Sequence, residues 1–126
     1  MTTAVALAHE ISKDVGTEMR FVDTMRLVRQ FIMDLERSSN PAKDVSEEPP
    51  LTGDPRWDAM IGGVVEDYCL HHDLEAPSWV FSKDRYLDVW WFCTSVLAMR
   101  PYAFTHTPAA LSGRGVFIQR ASLINV

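Results

Sequence analysis

The run Gly53-Asp54-Pro55-Arg56-Trp57-Asp58-Ala59-Met60-Ile61 limits what this chain can fold into more than any other stretch. An aspartate accepts from the unpaired N–H groups at a helix start, and proline at the first helical position lacks only a donor that has no partner there. Trp57, Ile61, Val64 and Tyr68 then recur on one helical face. A helix from Pro55 to about His72 is expected, with that face buried. Gly62-Gly63 falls inside it, each glycine weakening the helix by roughly 1 kcal/mol relative to alanine. Two glycines there imply close approach of another helix or a bulky ring; an active-site hinge is the other reading.

The chain has 126 residues, room for one domain and an appendage, and 47% hydrophobic residues suffice for one core. No apolar run approaches the ~18 residues of a membrane span. Ala4-Val5-Ala6-Leu7-Ala8 follows no basic side chain and stops at His9-Glu10, so no signal peptide is expected. Cys69 and Cys93 then read as reduced, buried thiols of a cytoplasmic protein. The net charge of −5 argues against a general nucleic-acid coat. From Asp44 to Glu75 there are nine acidic residues against one basic, Arg56, while Arg85, Arg100, Arg114 and Arg120 later face only Asp88. Solvated helix faces often look like this, and so does a surface that steers a charged partner.

Three blocks follow: an N-terminal helical segment (1–39), a linker (40–53) and a helical domain (54–126). In the first, Leu7, Ile11 and Val15 make a short helical pattern interrupted by Gly16. Phe21, Met25, Val28, Ile32 and Leu35 then alternate steps of four and three, the spacing of a helix packed along a seam. Val22, Leu27 and Phe31 widen that ridge, so the C-terminal domain or another chain must cover it. Pro41, Pro49 and Pro50, set among Ser, Asn, Asp and Glu, make 40–53 a draped or mobile connection. In the last block, Ser95 to about Arg100 looks helical, and Thr107-Pro108 starts a further helix that Gly113 stops. Val116-Phe117-Ile118 is a short strand or a pinned extended piece. The expected class is mainly α.

Chemical motifs are sparse. Cys69, His71, His72 and Asp73 lack the second ligand pair that structural zinc requires, and adjacent histidines on a helix point about 100° apart. They are expected as helix-end histidines favoured by the dipole. Cys93 follows Trp90-Trp91-Phe92 and reads as a core thiol without a base. Asp54 is explained by capping and Asp58 by the helix dipole, while Glu66 and Asp67 are expected to face solvent. Gly113-Arg114-Gly115 precedes an apolar triplet rather than a phosphate-binding helix, so a turn is expected, with Arg114 at its tip facing a partner's carboxylate or RNA. Trp57, Trp90 and Trp91 are expected in the core. No catalytic residue, metal site or cofactor is assigned.

Thr52-Gly53-Asp54-Pro55-Arg56-Trp57-Asp58-Ala59, Leu74-Glu75-Ala76-Pro77-Ser78-Trp79, Tyr86-Leu87-Asp88 with Trp91-Phe92, and Thr107-Pro108-Ala109-Ala110-Leu111 through Gly113-Arg114-Gly115-Val116-Phe117-Ile118 occur in order. Together with Glu48-Pro49-Pro50 and the Val28–Leu35 helix, they resemble the C-terminal domain of actinobacterial helix-turn-helix regulators and antitoxin-like proteins. In relatives of this look a helix-turn-helix domain stands upstream. Here 18 residues precede Met19, too few for its helices, and direct nucleic-acid binding is not expected.

The resemblance implies a protein-binding module, the antitoxin of a toxin–antitoxin pair that neutralises its cognate toxin enzyme by direct binding. On that reading Phe21, Met25, Val28, Phe31, Ile32 and Leu35 supply apolar contact, Asp44, Glu47 and Glu48 face a basic active site, and Arg114 adds a contact. The alternative is a transcription-regulator accessory that homodimerises through the first long helix.

Overall fold

The computed structural model describes residues 3–13, 15, 21–93, 107–118 and 123. It is mainly helical: α1 (Ala4–Ser12), α2 (Phe21–Arg37), α3 (Pro41–Asp44), α4 (Pro55–His71) and α5 (Ala109–Ser112). Two 3₁₀ turns, Ser78–Phe81 and Lys83–Arg85, lead to β1 (Trp91–Phe92), which pairs in parallel with β2 (Val116–Phe117). Trp91 registers with Val116 and Phe92 with Phe117. The helix expected at Ser95–Arg100 lies outside the described residues. No helix among those described is long and apolar enough to cross a membrane.

α4 begins as its sequence demands. The Asp54 carboxylate accepts from the Arg56 backbone N–H at 3.0 Å, and Pro55 occupies the first turn. Every residue from Trp57 to Val65 is then buried, so the helix is covered all round rather than on one face. α1, α2, both 3₁₀ turns, α5 and β2 pack against it. One hydrophobic cluster draws on α1 (Leu7, Ile11), α2 (Met25, Val28, Phe31, Leu35), Val45, α4 and the C-terminal elements. The stretches 1–39, 40–53 and 54–126 therefore share a single core.

The glycine pair of α4 is a notch. An added Cβ on Gly63 would lie 2.4 Å from Leu111 Cδ2, and one on Gly62 would lie 3.2 Å from Arg85 Cβ and 3.3 Å from Arg114 Nη1. Close approach was legible in the sequence. The neighbours differ from expectation: α5 sends in a leucine, and two arginines take the place foreseen for a ring.

The 40–53 connection is draped and fastened. Asn40 caps α3 through the Lys43 N–H. The Trp79 indole N–H donates to the Val45 carbonyl at 2.9 Å, and Arg85 Nη2 donates to the Pro49 carbonyl at 2.8 Å. Thr52 is held through both its N–H (2.8 Å) and its hydroxyl (2.9 Å), which donate to the Asp58 carboxylate. Asp58 is thus a buried anchor for the connection, beyond any dipole role expected of it.

Candidate protein-binding face

The apolar ridge of α2 does not face outward. Met25, Val28, Phe31 and Leu35 are buried in the chain's own core, covered by α1 and α4. Ile32 is half-buried in the groove between α2 and α4. Phe21 is partly exposed, with its ring 5.7 Å from Trp57 and 5.8 Å from Trp91. The expectation of an α2 docking surface is corrected for Met25, Val28, Phe31 and Leu35, which the chain itself covers, while Phe21 and Val22 at the start of the helix stay exposed. Dimerisation through Val28 and Ile32 loses its surface for the same reason.

Arg114 is corrected too. It is 1% exposed, and its Nη1 donates to the carbonyls of Val80 (2.6 Å) and Arg85 (3.3 Å) while Nη2 meets Glu66 at 2.5 Å. Gly115, at φ +85°, does form the expected turn. The side chain turns inward because the glycine notch leaves room beside α4. Arg85 is its neighbour, equally buried, with Nη1 3.9 Å from Asp58. Each guanidinium stacks on a ring: Arg85 lies 5.0 Å from the Trp79 centroid and Arg114 lies 4.5 Å from that of Tyr86. These faces help offset the burial of Arg85 Nε, Arg85 Nη1 and Arg114 Nε, which have no hydrogen-bond partner among the described residues. Burial pushes the Arg85 pKa down, against the pull of Asp58, Glu48 and Asp84. Two cations and their carboxylates thus form an internal frame, and Glu66 is half-buried rather than solvent-facing.

What this frame presents outward is the candidate face. Two side-chain donors, the Trp79 indole N–H on the Val45 carbonyl and Arg85 Nη2 on the Pro49 carbonyl, tie the 45–51 segment to the 3₁₀ turns. Along 45–51 and 81–90, Phe81 is 53% exposed, Trp90 59% and Val89 80%, with Leu51 and Tyr86 also exposed. Glu47, Glu48, Asp84 and Asp88 are exposed on the same two segments. Asp44 sits just before them, half-buried, accepting from the Ser38 hydroxyl. Of the proposed contact residues, Glu47 and Glu48 are therefore on the surface, and Asp44 is partly so.

Trp57 is buried and Trp91 half-buried, as expected of core rings, but Trp90 is not. The run divides where β1 begins: Val89 and Trp90, ahead of the strand, are both exposed, while Trp91 and Phe92 within it are both half-buried. No signal marked Arg85 and Arg114 as a pair, because the contacts joining them are long-range.

His71 and His72 close α4, each Nδ1 lying 2.9 Å from the backbone carbonyl four residues earlier. Among the described residues no group of three or more His, Cys, Asp or Glu gathers to hold a metal ion. Cys69 is buried as expected, whereas Cys93 is half-buried; desolvation raises the Cys69 pKa and pushes that of Cys93 up to about 12. Neither is a poised nucleophile.

No protein-family model matches the chain, and no curated protein or solved structure matches it.

Proposed function

We propose that the chain is a protein-binding module that engages a basic partner through the acidic, aromatic face of 45–51 and 81–90. Its specific role on this reading is that of the antitoxin of a toxin–antitoxin pair. The observation that carries it is the exposure of Phe81, Val89 and Trp90 beside carboxylates on a segment anchored by the buried arginine frame. Large exposed apolar side chains rimmed by charge are the usual composition of a contact surface. A rigid backbone beneath them lowers the ordering entropy of association. The carboxylates favour a cationic partner and speed its encounter. The antitoxin role draws further support from the resemblance of the C-terminal block, and the α2 ridge has no part in it.

The test is coexpression with the product of the adjacent open reading frame, expected to be basic, followed by size-exclusion chromatography and a toxicity assay. A stoichiometric complex that relieves toxicity is expected. Phe81→Ser with Val89→Ser is expected to weaken binding by about a hundredfold, the loss of two modest hot-spot contacts, with the midpoint of urea unfolding little changed. A wild-type chain that stays monomeric beside that product overturns the reading.

A further inference from the structure

The Leu87 N–H donates to the Arg114 carbonyl at 2.9 Å, and the Trp91 N–H donates to the Gly115 carbonyl at 2.8 Å. One segment thus advances by four residues while its neighbour advances by one. Four extended residues would reach about 13 Å, yet consecutive Cα atoms stand only about 3.8 Å apart. The chain between the two pins must bow away from its neighbour, as at a bulge, where surplus residues re-aim their side chains. Asp88, Val89 and Trp90 form that bow, and all three are exposed, Val89 by 80% and Trp90 by 59%. Leu87 and Trp91 at its feet are half-buried. Beneath the feet, Arg114 is held by Glu66 and by the carbonyls of Val80 and Arg85. Gly115, at φ +85°, has no Cβ; one there would lie 3.4 Å from both Leu87 Cβ and Trp90 Cδ1. The Trp90 ring also leans on Phe117, with centroids 5.1 Å apart. A mostly exposed indole is therefore set in place before any partner arrives.

We infer that the 87–91 arch is the anchor of the docking face, with Trp90 inserting into an apolar recess of the basic partner and Asp88 meeting a cationic side chain on its rim. This rests on the protein-binding role proposed above and narrows it to one element. An indole supplies a large contact area with few torsions to freeze, and the packing on Gly115 and Phe117 restrains those in advance. Aromatic anchors of this kind carry most of the energy of an interface, while charges at the rim steer the encounter. Glu47, Glu48 and Asp84, all exposed, extend the negative charge of Asp88 along the face and call for cationic groups around the recess. The same carboxylates repel phosphate, so a nucleic-acid base stacked on the indole is disfavoured.

The test measures association and dissociation rates of the full chain with the product of the adjacent open reading frame. Trp90→Ala is expected to weaken binding at least about thirtyfold, nearly all of it through faster dissociation. Trp90→Phe should recover part of that loss. Asp88→Lys is expected to slow association, most at low salt, and to leave dissociation within about threefold. In the free chain, ¹⁵N heteronuclear NOE values at 88–90 should match those of α4, because the arch is already set. A wild-type complex that Trp90→Ala weakens by less than about threefold overturns the anchor and leaves the protein-binding role standing. So does an unchanged association rate in Asp88→Lys, or NOE values of a loose loop at 88–90. A wild-type chain that forms no complex overturns the role and the anchor together.

Discussion

Glu66 and Arg114 stand 48 positions apart in the chain, and their side chains meet at 2.5 Å beside the glycine notch of α4. This contact joins the central helix to the turn that leads into β2, and it makes Arg114 part of the scaffold. The same guanidinium bonds to the carbonyls of Val80 and Arg85, so one side chain fixes the backbone beneath the proposed docking face.

Removing one member of the pair strands the other. Glu66→Ala is expected to destabilise the protein by about 3 kcal/mol, the lower end for breaking a buried pair because Glu66 keeps some solvent contact. Arg114→Met strands two carbonyls as well and should be at least as damaging. The double variant is expected to lose less than the sum of the two. Urea unfolding of the four proteins measures this, and strict additivity would count against a coupled pair.

The Gly63 position is tight enough to reverse the usual benefit of alanine in a helix. Alanine offers about 1 kcal/mol of helix propensity, but its Cβ would lie 2.4 Å from Leu111 Cδ2. Leu111 is fully buried and has little room to withdraw. Gly63→Ala is expected to destabilise by about 1–2 kcal/mol net of propensity. Combining it with Leu111→Ala should relieve the overlap, so thermal unfolding should show the pair of changes to be milder than their sum.

Asp58 fastens the connection to the helix that follows it. Asp58→Ala leaves the buried Thr52 N–H without its acceptor, leaves the Thr52 hydroxyl only the Asp54 carbonyl at 3.2 Å, and takes from Arg85 its paired carboxylate. A loss of about 2–3 kcal/mol is expected, together with faster exchange of the Thr52 amide. Asp58→Asn keeps an acceptor and should be milder. Unchanged Thr52 protection in the alanine variant would show that the connection is held elsewhere.

How much of this was legible beforehand depends on the range of the interaction. Asp54 as cap, Pro55 at the first turn and Gly113 as stop are local matters, and the helices begin and end close to where these residues place them. The ridge of α2 was visible as periodicity, which shows that a face must be covered and not by what. α1 and α4 cover it here. Arg85 and Arg114 were out of reach because a charged residue in a sequence gives no sign of the notch that admits it. Gly62-Gly63 held half of that information. The other half lies in the turns after Pro77 and Gly113, whose approach to α4 is tertiary.

Cys93 gives the last prediction, an alkaline one. Burial pushes its folded pKa up to about 12 from an ordinary 9.0, with Arg56 pulling the other way. The unfolded chain therefore releases the thiol proton at lower pH than the folded chain does. Between about pH 9 and 12 the folded state binds more protons, and stability falls as pH rises. The limiting slope from this thiol is about 1.4 kcal/mol per pH unit. Cys69 and Tyr68, both raised by burial, act in the same sense. Cys93→Ala should remove its own share, so the gap between wild type and variant narrows or inverts from pH 8 to pH 10.5 in urea unfolding. In the folded wild type at pH 8, labelling by a thiol reagent should be far slower than for a free cysteine. Rapid native labelling of Cys93 with a pH-independent gap would show that the thiol lies in a wetter site than its burial implies.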